Sequence, residues 1–386
     1  MTHDAHLRTP ADRPRARALG IPFDGTPGEH NAITDVPGVE VGYATLIAGE
    51  GPLVVGRGPV RTGVTAIHPR GRADPGTPCA AGFFSLNGNG EMTGTAWIEE
   101  AGALSLPVTI TNTHAVGAAH EATIAWTTER HPELTRVWAL PVAAETWDGY
   151  LNDINGRHVT SEVVMAALDG ARGGPIEEGS VGGGTGMNCY GFKAGSGTAS
   201  RRVAHGADEY TVGVFVQANF GSRHELVVAG VPVGRALLDD NPMADPARLA
   251  PPGAGSVIAI VTTDAPLLPG QCKALARRVP LGLARTGTTG SHFSGDIFLA
   301  FSTANHGELS LGLASGDEPE ARYGSLRFVP WPHLDPFFAA VVHATEEAVL
   351  NALSAAEEMV GANGRRSPGL PHERVAELLR ARRIAG

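Results

Sequence analysis

Turn formers punctuate this chain so closely that most of its strands have to be short. Glycine occupies 51 and proline 28 of the 386 positions, about a fifth of the chain and well above ordinary usage. No Gly-X-Y period accompanies them, so the excess signals tight turns between brief elements and not a collagen-like rod. Between the turns lie apolar, often β-branched runs. Residues 39–47 (VEVGYATLI), 64–67 (VTAI), 108–110 (VTI), 136–143 (RVWALPVA), 210–221 (YTVGVFVQANFG), 256–266 (SVIAIVTTDAP) and 294–305 (SGDIFLAFSTAN) read as strands. Helical patterning appears at 114–128 with Thr113 as its cap, at 161–170 stopped by Gly170, and at 270–285, interrupted by Pro280. The longest helix is expected at 335–360, with Asp335 at the N-cap, Pro336 at the first helical position, and Phe338, Val341, Val342, Ala348, Val349 and Ala352 on one face. Residues 372–384 give a closing helix.

Strands gather before and after a Pro-, Asp- and Ala-rich stretch at 238–255, with helices between them and at the end. This pattern predicts an α+β fold in which helices cover two sheets, because the sustained βα alternation of a doubly wound sheet is missing. At about 150 residues per domain the length suggests two or three units, although large layered folds run well past 200 residues as one. Hydrophobic residues at 42% and charged ones at 18% supply a large core.

The formal net charge of −10, with no Lys/Arg stripe, argues against a nucleic-acid partner. Cys79, Cys189 and Cys272 are odd in number and far apart, so they make neither a disulfide framework nor a zinc ribbon and fit a reducing compartment. Residues 1–20 read as a polar arm without the apolar stretch of a secretory signal, and no run of about 18 apolar residues occurs. The expectation is a cytoplasmic protein with no membrane partner.

Three features bear on chemistry. The run Val181-Gly182-Gly183-Gly184-Thr185-Gly186 would let backbone N–H groups approach an anion, yet it matches neither a P-loop nor a dinucleotide fingerprint. A packing turn, or backbone lining a small-molecule pocket, is the better reading. Fifteen histidines include no metal-binding motif, and His114, His120 and His292 read as partly buried, hydrogen-bonded side chains. Most informative is the junction at 251–258, where Pro-Pro-Gly-Ala-Gly meets Ser256 and a β-branched strand. Ser256 is either a residue at a strand's edge or the nucleophile of a self-processing hydrolase. In the second case its hydroxyl attacks the Gly255 carbonyl, an N-to-O shift gives an ester, and water frees Ser256 as a new N-terminus. Glycine at 255 would tolerate the strained backbone of such an attack, and the freed α-amine, with a pKa near 8, would serve as local base.

Taken together, 255–266, 294–305, 179–201 (GSVGGGTGMNCYGFKAGSGTASR), 217–221 (QANFG) and 144–156 (AETWDGYLNDING) are similar to the L-aminopeptidase/D-esterase family, which includes the DmpA-type and β-peptidyl aminopeptidases. The resemblance runs from about Gly20 to Val360. It implies a four-layer αββα sandwich like that of N-terminal-nucleophile hydrolases but differently connected. It also implies a precursor that divides into an α chain (21–255, after the 1–20 arm) and a β chain (256–386), assembling as a homotetramer of αβ units. By the resemblance Ser256 is the nucleophile, Ser294 and Asp296 sit beside it, and Asn219 stabilises the oxyanion. Asp296 stands where a glutamate is familiar. Glu145 would hold the substrate's free amine, and Trp147 falls where members carry Tyr or Trp, Trp resembling the β-peptidyl branch. The substrates implied are small peptides, amides or esters, with no metal or organic cofactor. Two alternatives stay open: an acyltransferase like the ornithine acetyltransferases, which cleave before Thr and not Ser, and a non-catalytic small-molecule-binding protein.

Overall fold

The structure, a computed structural model, describes residues 4–136, 138–244, 255–309 and 323–382. Residues 245–254, most of the expected linker, lie outside them. The strands are β1 (Glu40–Ala48), β2 (Val60–His68), β3 (Cys79–Ser85), β4 (Ala103–Leu104), β5 (Val108–Asn112), β6 (Val142–Thr146), β7 (Asn188–Cys189), β8 (Phe192–Lys193), β9 (Ser196–His205), β10 (Asp208–Asn219), β11 (Gly255–Thr263), β12 (Ser294–Ser302), β13 (Met359–Val360) and β14 (Arg366–Ser367). The helices are α1 (Thr95–Ala101), α2 (Val116–Arg130), α3 (Ser161–Asp169), α4 (Val233–Ala236), α5 (Pro269–Ala276), α6 (Val279–Arg285), α7 (Asp335–Ser354) and α8 (His372–Ala381).

Among the described residues two large sheets form, one of order β1-β2-β5-β6 and one of order β4-β3-β12-β11-β10-β9, beside the two-stranded pairs β7-β8 and β13-β14. Side-chain alternation divides each central strand between two cores. Ile258 and Ile260 of β11, with Ile297, Leu299 and Phe301 of β12, face Ile67, Val108, Ile110 and Val142 of the other sheet. Their neighbours Val257, Ala259, Phe298 and Ala300 turn outward onto α5 and α7. Behind the four-stranded sheet, α2 and α3 pack on Val64, Ala66 and Ala143. The layers are therefore α, β, β, α, as the resemblance implies. Strands buried on both faces explain why β11 and β12 read as unbroken apolar runs.

Where the elements differ from the sequence pattern, packing supplies the reason. The 270–285 helix is two helices, and Pro280 opens the second in its first turn instead of interrupting one. Asn112, not Thr113, caps the turn before α2 by accepting from the His114 N–H at 3.0 Å. Gly170 ends α3 at φ −79°, so its freedom to turn left-handed is unused. The strand expected at 136–143 begins only at Val142. The long helix starts one residue earlier than read, with Leu334 at the N-cap and Asp335 as its first residue, and stops at Ser354. From Ala344 onward every residue of α7 is buried, because the helix is covered by the six-stranded sheet, by α6 and by the turn at Ala16–Leu19. That turn belongs to the polar N-terminal segment, which lies against the core. Arg15 Nε donates to Glu178 Oε2 at 2.6 Å, while Arg17 and Arg201 both reach Glu347, at 2.6 and 2.7 Å.

Candidate active site

Strand direction brings the candidate residues together. β10 and β11 are antiparallel, whereas β11 and β12 are parallel, so the end of β10 meets the starts of both others at one edge of the sheet. The register sets Asn219 opposite Ser256, Gly255 opposite Ser294, and Ser256 opposite Gly295. The end of β6 comes from the facing sheet and brings Glu145 and Trp147 to the same edge.

Ser256 is 2% exposed, and its Oγ accepts a hydrogen bond from the Trp147 main-chain N–H at 3.3 Å. Asn219 completes this group. Its Nδ2 donates to the Trp147 carbonyl at 2.9 Å, and its Oδ1 accepts from the Asn188 N–H at 3.0 Å. A backbone N–H can only be met by the amide oxygen, so Nδ2 is the atom that faces the serine side, and a carboxamide has a second N–H beyond the one given to Trp147. Sequence reading pointed to the Trp147 ring. The structure adds its main chain, which no residue type could have signalled. The indole itself is half-buried and lies against Gly149, where a Cβ would come within 2.6 Å of it.

The second group lies on the other face of β12. Ser294 Oγ donates to Asp296 Oδ1 at 2.5 Å, and Asn87 Nδ2 donates to Oδ2 at 2.8 Å. The Asp296 N–H returns to Asn87 Oδ1 at 2.6 Å, and the Val257 N–H also bonds the carboxylate. Burial raises the Asp296 carboxyl above its ordinary range, while Ser294 and Asn87 pull it back. Asn87 was missed by sequence reading, because the stretch 87–90 (NGNG) looks like an ordinary turn. A cavity of about 240 Å³ reaches this group, lined by Phe220, Ser222, Glu225, Thr288, Ser291 and Ser294.

Glu145 forms the third group and is 2% exposed. Its Oε1 accepts from the Glu91 N–H at 3.0 Å, and the Thr113 hydroxyl donates to its Oε2. Burial raises its pKa, against the lowering effect of those two donors. One loop, residues 87–91, thus serves both carboxylates. It lies flat on Gly295, where a Cβ would come within 2.5 Å of the Asn89 carbonyl and 2.6 Å of Gly90 Cα. Gly255 is equally hemmed in, since a Cβ there would come within 2.4 Å of the Asn219 carbonyl. Neither glycine has a positive φ, so close approach, and not a strained dihedral at 255, is what demands glycine.

The glycine run is a packing turn. Gly182, Gly183 and Gly184 are buried, and their N–H groups are already given to Thr45, Thr65 and Val181, leaving none for an anion. Of the histidines, His114 and His292 are exposed, contrary to expectation; His114 bonds Asn155 and His292 packs on Phe293. All three cysteines are buried and unpaired. Among the described residues no cluster of three His, Cys, Asp or Glu side chains is placed to hold a metal, and no helix is long and apolar enough to cross a membrane.

Comparison with known proteins agrees with this arrangement. Residues 31–367 match the model of peptidase family S58. The chain is 49% identical over 384 residues to the β-peptidyl aminopeptidase BapA of Sphingosinicella microcystinivorans, covering 97% of this chain and 94% of that one. Among solved structures it resembles the L-aminopeptidase D-Ala-esterase/amidase of Ochrobactrum anthropi, described as a prototype for the serine aminopeptidases and a new variant of the Ntn hydrolase fold, with TM-score 0.88, 45% identity, and 97% and 100% of the two chains covered. A β-aminopeptidase from a Burkholderia species follows at TM-score 0.84 and 46% identity, with 95% and 98% covered. A family match across most of the chain, joined to a shared fold over nearly its full length, shows that this chain belongs to peptidase family S58 and is a serine aminopeptidase of the Ntn-hydrolase type.

Proposed function

We propose that Ser256 is the nucleophile, that the chain cuts itself between Gly255 and Ser256, and that the mature enzyme releases N-terminal residues, β-amino acids among them, from short peptides, amides and esters. The observation that carries this is the hydrogen-bonded group of Ser256, Trp147 and Asn219 at the register position where Gly255 enters the sheet. In self-cleavage Ser256 Oγ attacks the Gly255 carbonyl carbon, the bond to the Ser256 nitrogen breaks, and water then hydrolyses the ester. The carbonyl oxygen gains negative charge beside the free N–H of Asn219. Ser294 lies opposite Gly255 in the register, on the face turned away from the Ser256 side chain, so the Ser294–Asp296 pair is suited to give the departing nitrogen its proton. The amine so formed then draws the proton from Oγ when a substrate's acyl group replaces Gly255.

Glu145, buried and held by Thr113 and Glu91, retains acceptor positions for a substrate ammonium. The β-peptidyl preference rests on Trp147 and on the names of the relatives. A homotetramer of αβ units in the cytoplasm completes the reading; it is supported by the resemblance and by three unpaired, buried cysteines. Matched β-aminoacyl and α-aminoacyl nitroanilides, each free and N-acetylated, test the reading together with Ser256→Ala. We expect cleavage of free β-aminoacyl substrates, rejection of acetylated ones by about 10²-fold in kcat/KM, and an inert Ser256→Ala. Equal rates on free and acetylated substrates would remove Glu145 as amine anchor, and an active Ser256→Ala would remove the nucleophile.

A further inference from the structure

Two ionisable side chains that the reaction does not touch lie inside this frame. Asp148 directly follows Trp147, Lys193 ends β8, and both are 0% exposed. The Lys193 ammonium donates to the carbonyls of Met187 at 2.8 Å and Ala194 at 2.7 Å, with the Gly184 carbonyl at 3.5 Å. It therefore ties down the turn 184–188, whose last residue sends its N–H to Asn219 Oδ1. The Asp148 carboxylate accepts from Asn152 Nδ2 at 3.0 Å and from the Thr62 hydroxyl, while its Oδ2 has no hydrogen-bond partner. The same turn packs on it: a Cβ at Gly186 would come within 2.8 Å of Asp148 Cβ. Burial pushes the Asp148 carboxyl up to about 7 and the Lys193 ammonium down to about 7, with the Asp148 charge drawing the ammonium back up. A buried cation and a half-satisfied buried carboxylate are costly, and apolar residues would fill the space at lower cost. What the two share is the pair of segments they hold, one carrying Trp147 and the other Asn188.

We propose that Asp148 and Lys193 are positioning residues: both packed on the turn 184–188, they lock the main chains of Trp147 and Asn188 and so aim Ser256 Oγ and the Asn219 amide at the reacting carbonyl. This rests on the reading of Ser256 and Asn219 given above. The two groups make no contact ion pair, so the brace works through the hydrogen bonds each makes and the field that Asp148 places on Lys193.

The test uses the full-length chain carrying Asp148→Asn, Lys193→Met, and both. Each single change leaves one buried group without its opposite charge, whereas the double change leaves none, so the double variant should unfold at a higher temperature than either single one. All three should self-cleave more slowly, and kcat per processed chain should fall about tenfold or more while KM stays within about threefold, since a misplaced nucleophile costs rate and not binding. A folded chain that no longer cleaves itself shows the same loss in the first reaction. A double variant with wild-type kcat, or an effect confined to KM or to thermal stability, would overturn the proposal. If Lys193→Met does not fold, the near-isosteric Asp148→Asn decides by the same split between kcat and KM. Failure of the underlying reading is separate: it appears as an active Ser256→Ala in an otherwise unaltered chain.

Discussion

At the scale of single residues, the site is built from main-chain hydrogen bonds as much as from side chains. Asn219 has its oxygen fixed by Asn188 and one N–H fixed by Trp147, which leaves the other N–H for the oxyanion-donor role proposed for it. Asn219→Ala should therefore lower kcat by roughly 10²–10³ with little change in KM, measured on processed chains. A raised KM at unchanged kcat would place Asn219 in ground-state binding instead. Glu145 allows a test by pH. Burial raises its folded-state pKa, so the ionised form, which in the proposed role holds the substrate ammonium, is lost as pH falls through a value above the ordinary glutamate range. The acidic limb of kcat/KM should lie above that range for the native enzyme and disappear in Glu145→Gln, which carries no charge at any pH. A limb that persists in Glu145→Gln belongs to another group. Ser256, Ser294, Asp296, Asn219 and Glu145 were legible as candidates because each stands in a sequence block shared with a known family. Asn87, the Trp147 main chain and the Asp148–Lys193 pair were not, since Asn87 meets Asp296 across 209 positions, Trp147 meets Ser256 across 109, and much of the contact is made by backbone atoms common to all residues.

At the scale of elements, the end of β10 and the starts of β11 and β12 place the chemistry, and the loop 87–91 clamps it. Gly295→Ala inserts a methyl group where the loop's backbone lies within 2.6 Å. The strand is buried and paired on both sides, so the loop should give way, carrying Asn87 off Asp296 and the Glu91 N–H off Glu145. We expect a loss of about 1–3 kcal/mol in stability from overpacking and a much larger proportional loss in kcat/KM, followed by chemical denaturation and steady-state kinetics. Wild-type kcat/KM in that variant would show that the loop has no part in the site. The strands themselves were readable from apolar, β-branched runs between turn residues. Their pairing was not, because β11 and β12 lie parallel through a crossover containing α5 and α6 while β3 and β4 join the same sheet from far earlier in the chain. Helix limits shifted for a related reason: α7 ends at Ser354 although alanines continue through Ala356, which is tertiary contact overriding local propensity.

For the whole molecule, a sandwich buried on four levels lets the end of one strand and the beginnings of two others meet at one point, beneath a facing sheet that contributes Trp147. The α+β layering was legible from the distribution of strands and helices. That β3 and β4 share a sheet with strands after residue 190 is something composition cannot reveal. The proposed mechanism has Ser256 serve both self-cleavage and hydrolysis. The intact mass of the purified protein, with N-terminal sequencing of its fragments, tests it most directly. The expected result is two chains, 1–255 and 256–386, the second beginning Ser256-Val257-Ile258, and a Ser256→Ala variant that stays one chain of 40.0 kDa. A folded, active native protein that remains a single 40.0 kDa chain, or a Ser256→Ala variant that still divides at this bond, would contradict it.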